Sequence, residues 1–212
     1  YVAVGLDGFS AVWTSPDART WARVPLGPEF DGTQMVHVET SPDGSLVAAG
    51  RVLGQPYEFA AWTSPDGRVW TRQLPAVGTL PGGNQQVNGF RAYPGGFVAV
   101  GSVANAAGEI DVAWWTSTDG ANWTAHTISE PGVQQMLGVA VSNGIVVAAG
   151  ENRPDAGVWR APVGQDLVRI DDVELTTAVS DYDPANTGAR VFAWDIAATG
   201  PGFVAVGADQ TT

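Results

Sequence analysis

The stretch Gly95-Gly96-Phe97-Val98-Ala99-Val100-Gly101, followed by Val112-Ala113-Trp114-Trp115-Thr116-Ser117-Thr118-Asp119-Gly120-Ala121-Asn122-Trp123, decides the fold, because versions of it recur along the chain. A short apolar run closing on glycine stands at Val2–Gly5, Val47–Gly50, Val98–Gly101, Val147–Gly150 and Val204–Gly207. The closing glycines are 45, 51, 49 and 57 residues apart. A period near 50 residues marks a repeat architecture, one supersecondary unit stacked on the next.

Working outward, each unit reads as short strands joined by tight turns. In the second unit Met35–Thr40 leads through Pro42-Asp43-Gly44 into Leu46–Gly50; Phe59–Thr63 and Val69–Leu74 follow, separated by Ser64-Pro65-Asp66-Gly67. The third unit repeats this with Val87–Ala92, Phe97–Val103, Val112–Ser117 and Trp123–Ile128, and the fourth with Met136–Val141, Ile145–Gly150, Gly157–Ala161 and Leu167–Ile170. The first unit holds only Val2–Gly5, Ala11–Thr14 and Trp21–Val24, and the fifth only Val191–Ala197 and Phe203–Gly207. No segment keeps apolar residues at helical spacing for three turns.

The expected fold is therefore all-β, a β-propeller of four-stranded antiparallel blades forming one domain over residues 1–212. Its units are 1–27 (lacking a first strand), 28–78, 79–131 and 132–171, with 172–212 supplying a connection and the start of a fifth. Alanine and glycine in the second strand let sheets approach, while tryptophans fill the wider gaps. A β-sandwich would not demand the period. The ends carry one second strand more than four closed blades need, which points to a segment of a larger ring or an oligomer rather than a closed ring of four.

Composition narrows the function. There are 22 acidic and 10 basic residues, every basic one an arginine, for a net charge of -12. That balance removes the electrostatic footprint of a nucleic-acid binder and disfavours anionic membrane surfaces. The absence of cysteine excludes disulfides and thiolate chemistry. No apolar run approaches the ~20 residues of a membrane span. The start without methionine, inside a repeat, suggests a piece of a longer polypeptide.

Three third-to-fourth strand turns share one pattern, with Ser15, Asp17 and Trp21; Ser64, Asp66 and Trp70; and Ser117, Asp119 and Trp123 in matching places. In the fourth unit it has decayed to Ala161-Pro162-Val163-Gly164-Gln165-Asp166-Leu167. Physically this is a turn device: carboxylate and hydroxyl accept hairpin amides, and the tryptophan anchors the following strand. The pattern resembles the Asp-box, or BNR repeat, of the sialidase-like β-propeller superfamily, in a shortened form with aspartate and glycine adjacent. The resemblance implies a propeller whose boxes are structural and lie on the face opposite any active site. It also raises the question of a sialidase, which would need an arginine triad, a tyrosine–glutamate nucleophile pair and an acid/base aspartate. Arg51, Arg91 and Arg153 come from successive units and would have to converge, with Tyr57 or Tyr182 nearby. Phe90-Arg91-Ala92-Tyr93-Pro94 is similar to the Phe-Arg-Ile-Pro signature of that family.

Binding candidates lie at the other end. Counting back sixteen residues from the closing glycines lands on Gln34, Gln85 and Gln134. These either ring a channel mouth, where they would hydrogen-bond a sugar or a partner backbone, or cap the inner strands. The second-to-third strand loops vary in length and offer Arg51, Gln55, Tyr57 and Glu58; Asn105, Glu109 and Asp111; and Glu151, Asn152, Arg153 and Asp155. They are read as ligand contacts or as ordinary solvated polarity. In the long connection before Val191, Asp181 and Asp183 are weak calcium candidates against a solvated acidic loop; no other cofactor or metal is expected. Of the two histidines, His37 shares a strand face with Glu39 and is expected to pair with it, and His126 sits on an outer strand.

The expectation is a non-catalytic binding or scaffold module recognising a protein or glycan on its loop face. It is placed in a secreted or cell-envelope setting, and its arginine-only, Ala/Gly/Val-rich composition suggests a bacterial source. The alternatives are a glycoside hydrolase of the sialidase-like or another Asp-box class, and a purely structural propeller.

Overall fold

The computed structural model describes residues 1–54, 56–73, 80, 83–105, 107–171, 191–200 and 202–209. Among these the regular structure is β apart from one 3-10 turn at Pro28–Phe30, and no helix is long and apolar enough to cross a membrane. The first sheet holds β1 (Val2–Asp7), β2 (Phe9–Thr14) and β3 (Ala22–Val24). The second holds β4 (Thr33–Thr40), β5 (Leu46–Val52), β6 (Glu58–Ser64) and β7 (Thr71–Gln73). The third holds β8 (Gln85–Tyr93), β9 (Gly96–Ala104), β10 (Ile110–Ser117) and β11 (Thr124–Ile128). The fourth holds β12 (Gln134–Ser142), β13 (Ile145–Asn152), β14 (Asp155–Pro162) and β15 (Val168–Arg169). The last described sheet pairs β16 (Val191–Thr199) with β17 (Gly202–Asp209). Strands pair antiparallel with their sequence neighbours throughout.

The outer strands start later than the sequence suggests. Trp21, Trp70 and Trp123 precede β3, β7 and β11 because each indole N–H turns back to a turn carbonyl, of Ala18, Gly67 and Gly120. The tryptophan belongs to the turn and not to the ladder.

One irregularity recurs. In β4, β8, β12 and β16 the register slips by one, leaving Val36, Asn88, Leu137 and Trp194 bulged. Just before the slip, Met35, Val87, Met136 and Ala193 lie opposite the closing glycines Gly50, Gly101, Gly150 and Gly207. A Cβ on any of these glycines would overlap the carbonyl oxygen of Gln34, Gln86, Gln135 or Phe192 in the partner strand. The glycine is therefore set by the bulge inside its own sheet, not by close approach between sheets. Gly5, whose sheet has no first strand, would bring a Cβ only to ordinary contact with Trp13 at 3.5 Å.

The first strand of each sheet packs on the second and third strands of the sheet before it: β4 on β1 and β2, β8 on β5 and β6, β12 on β9 and β10, β16 on β13 and β14. Strand alternation then fixes who meets whom. Val47 and Ala49 of β5 face the third sheet with Phe59, meeting Phe90, Trp115 and Trp123. Val98 and Val100 face the fourth sheet and meet Met136 and Trp159. Val147 and Ala149 meet Ala193 and Ile196, and between the first two sheets Val12 packs with Met35, Ala48 and Trp62.

Among the described residues the row of sheets does not close into a ring. Its two ends leave exposed positions that are buried where another sheet packs on them. Trp21 is 42% exposed where Trp70 and Trp123 are buried, and Val204 and Val206 are 51% and 59% exposed where Val98 and Val100 are buried.

Candidate functional site

The second-to-third strand loops and the connections between sheets meet at one end of the row, tied together by backbone bonds. Gln85 N–H donates to Tyr57 O at 2.9 Å, Val133 bridges Ile110 and accepts from Arg153 N–H at 3.0 Å, and Val191 N–H donates to Pro154 O at 2.9 Å.

The three glutamines do not form one ring. In register, Gln34 lies opposite Arg51, and its equivalents are Gln86 opposite Ser102 and Gln135 opposite Glu151. Gln85 and Gln134 fall one place earlier, in line with Thr33. The counting fails because the hairpin between Thr40 and Leu46 is longer than the two-residue turns between Tyr93 and Gly96 or Ser142 and Ile145. Gln85 and Gln134 are buried. The Gln85 side-chain oxygen accepts from Phe59 N–H at 3.1 Å, and the Gln134 amide reaches Pro131 O at 3.4 Å. Thr33 does the same work with a hydroxyl, donating to Phe30 O at 2.6 Å and meeting Ser10 Oγ at 2.7 Å. Gln85 and Gln134 thus brace the starts of β8 and β12 from buried positions.

The next positions along form fixed polar pairs instead, with Ser102 and Glu151 themselves buried. Arg51 Nε donates to Gln34 Oε1 at 2.8 Å, and its guanidinium lies over the Tyr57 ring, 5.0 Å from the centroid. Tyr57 N–H is held by Asn84 Oδ1 at 2.9 Å. The Gln135 amide donates to Glu151, whose two carboxylate oxygens take Arg153 Nε at 3.2 Å and Nη2 at 3.1 Å. Between these, Asn105 Nδ2 donates to both Glu109 Oε2 at 3.0 Å and Asp111 Oδ2 at 3.3 Å, and Ser129 Oγ donates to Asp111 Oδ2 at 3.1 Å. Asp111 is buried, and its Oδ1 has no hydrogen-bond partner among the described residues. Glu58 opens β6 in an exposed position, and Asp155 lies opposite Asn152 at the start of β14. Gln55, Asp181, Tyr182 and Asp183 lie outside the described residues. Among the described residues no three acidic or histidine side chains gather as a metal site would require.

Arg51, Arg91 and Arg153 each have a separate partner rather than a shared focus. Arg91 lies on the inner strand, donating to Phe90 O at 2.8 Å and lying 3.5 Å from Glu39 Oε1. The expected His37–Glu39 pair is thereby replaced, since Glu39 turns to Arg91 and His37 Nε2 is buried without a hydrogen-bond partner among the described residues. Burial pushes the Glu39 carboxyl up, partly offset by Arg91, and burial together with Arg91 pushes the His37 imidazole down. By register His37 occupies the place after the bulge, which Gly89, Gly138 and Asp195 take in the later sheets.

The opposite end carries the boxes. Asp17 Oδ1 accepts from Arg19 N–H at 2.9 Å and Thr20 N–H at 2.8 Å; Asp66 does so from Arg68 at 2.8 Å and Val69 at 3.0 Å; Asp119 from Ala121 at 2.9 Å and Asn122 at 2.8 Å. Ser64 and Ser117 accept Gly67 and Gly120 N–H, each at 2.8 Å. These amides lower all three carboxyls, Asp119 to about 2, led by the Asn122 N–H. A folded value below the unfolded ~3.9 means stability that is full above about pH 5 and lost as pH falls toward 2. The urea midpoint of Asp119→Ala should therefore lie below that of the parent at pH 6, with the gap narrowing steadily by pH 2.5; a constant gap would assign the loss to packing.

Sequence reading missed the partners that come from another loop or sheet. Asn84 and Ser129 carry no motif, and His126 is joined to Asp166 of the next sheet, Nδ1 to Oδ1 at 2.9 Å.

No family model and no curated protein matches the chain. Among solved structures, a candidate glycosidase from Bacteroides thetaiotaomicron VPI-5482 is 15% identical, covering 92% of this chain and 79% of its own, with a TM-score of 0.46. A likeness that distant carries no argument about activity, so the chain's function rests on its own geometry.

Proposed function

We propose that the sheets are blades of a β-propeller of the Asp-box class and that its loop end binds a glycan or protein ligand outside the cytoplasm, without chemistry. The observation that carries the binding reading is the polar pair repeated at one register position in three successive sheets: Gln34 with Arg51, Gln86 beside Ser102, and Gln135 with Glu151. Side chains already held by neighbours lose little freedom on binding. The Tyr57 ring beneath Arg51 adds an aromatic surface of the kind that sugars and peptide planes stack on. The propeller reading is supported by the open ends, whose exposed Trp21, Val204 and Val206 stand at positions that are buried wherever a neighbouring sheet is present.

A second reading, glycoside hydrolysis, is favoured by one contact. Asn105 Nδ2 touches both Glu109 and Asp111, so an oxygen of each carboxylate sits on one amide nitrogen, close enough for the ~5–10 Å range of paired glycosidase carboxylates.

Arrays of immobilised glycans and peptides, probed with the parent chain and Arg51→Ala, decide between them. Binding without turnover of 4-nitrophenyl glycosides, weakened about tenfold by Arg51→Ala at unchanged Tm, is the expected result. Turnover that disappears in Asp111→Asn would transfer the protein to the hydrolases, and neither binding nor turnover would remove both readings.

A further inference from the structure

At the box end, a depression of about 390 Å3 lies beside the third and fourth sheets, lined by Tyr93, Thr116, Thr118, Asn122, Trp123 and Thr124 among others. It opens where the fourth box has decayed. In the second and third units the box glycine is seated on the preceding sheet: a Cβ on Gly67 would press on Val2, and one on Gly120 would press on Val47. Gly164 takes the same place in the fourth unit and lines the depression, yet a Cβ there would have nothing within 4 Å. With Ala161 and Val163 where the other boxes have serine and aspartate, the side-chain clasp is missing and the turn stands off its neighbour.

We infer that this depression binds a neutral, polyhydroxylated ligand about the size of one sugar ring. Its volume falls at the small end of the ~300–1,000 Å3 typical of ligand sites. No charged side chain lines it, so it offers no counter-charge to a phosphate, a carboxylate or a metal ion. Threonine hydroxyls and the Asn122 amide, whose Nδ2 also donates to Asp119 Oδ2 at 2.8 Å, instead stand around the half-buried Tyr93 ring, and hydrogen-bonding groups beside an apolar ring face match the two-faced surface of a sugar.

One hydroxyl is held by its own relay. Thr116 Oγ1 lies 3.2 Å from His126 Nε2, His126 Nδ1 lies 2.9 Å from Asp166 Oδ1, and Trp114 stacks on the imidazole with centroids 4.9 Å apart. With its Nδ1–H turned to the carboxylate, the ring presents Nε2 to accept the Thr116 hydroxyl proton. The lone pairs of Thr116 are left to accept from a ligand O–H. The order hydroxyl, imidazole, carboxylate also occurs in hydrolytic triads, but the Asp166 side chain is 75% exposed. A solvated carboxylate orients the ring but acts on it only weakly across water, so Thr116 serves as a fixed acceptor and not as a nucleophile.

The site is at the opposite end from Arg51, so the two can be tested apart. Saturation-transfer NMR of the full chain with glucose, galactose, mannose and N-acetylglucosamine is expected to show at least one sugar binding in the low millimolar range. Its Kd should rise about tenfold in Thr116→Val and in Thr124→Val, which keep the β-branched shape, and stay unchanged in Arg51→Ala. Thr124 is exposed, so its variant remains informative if Thr116→Val folds poorly. No binding up to about 50 mM, or binding that survives both threonine variants, overturns the inference, as does binding that weakens only in Arg51→Ala.

Discussion

Gly101→Ala is expected to abolish cooperative folding, although glycine to alanine is usually a mild change within a strand. The added methyl would overlap the Gln86 carbonyl oxygen, with the Gln86 carbonyl carbon and Val87 Cα close behind. Backbone atoms on both sides belong to paired strands, so neither can yield without breaking the ladder between β8 and β9. A forced overlap of this kind belongs with the strain effects that exceed about 4 kcal/mol, a large share of the ~5–15 kcal/mol that holds a domain together. Gly150→Ala should behave alike, because Gln135 O stands in the same place. Gly5→Ala is the internal control, expected to change stability by less than about 1 kcal/mol. Thermal melts followed by circular dichroism would read all three, and an inert Gly101→Ala would show that the bulge is not what requires glycine.

Trp115→Ala should cost about 3–5 kcal/mol. The side chain is fully buried and stacks on Phe59 of the preceding sheet, with ring centroids 4.8 Å apart and planes 9° from parallel. Trp123 meets the same phenyl edge-on at 5.1 Å. Removing Trp115 leaves a hole walled by two sheets whose backbones are already paired, so collapse is restricted and most of the cavity cost remains. Trp21→Ala, at the open end of the row, should cost less than about 1 kcal/mol. Urea titrations of the two variants would separate them clearly; similar midpoints would mean that Trp21 is covered in solution.

Local patterns were legible and long-range ones were not. The Ser-x-Asp turns could be read from the chain because donor and acceptor lie within three residues, as in Asp66 with Arg68 and Val69. The closing glycines could be seen but not explained, since the carbonyl that demands each one belongs to the partner strand. Gln34 was aligned with Gln85 and Gln134 by counting, and an unequal hairpin moved it one place, enough to exchange a buried strand anchor for a half-buried partner of Arg51. At the loop end, Arg51 and Glu151 could be picked out from loop position and polarity, whereas Asn84 and Ser129, which hold the neighbouring loop residues, gave no local signal. His126 and Asp166 meet only because two sheets stack, which no spacing along the chain conveys.

The pairing of a bulge with a glycine also bears on how such a chain can vary. The turn between Thr40 and Leu46 differs in length from those between Tyr93 and Gly96 or Ser142 and Ile145, yet Gln34, Gln86 and Gln135 still face Arg51, Ser102 and Glu151. The clasp acts as a stop, absorbing an insertion at one end of a hairpin before it can shift the other. Successive units are thus free to gain or lose turn residues on the box side while the opposite surface keeps its alignment, and that surface can be rewritten residue by residue without the sheet having to find a new register.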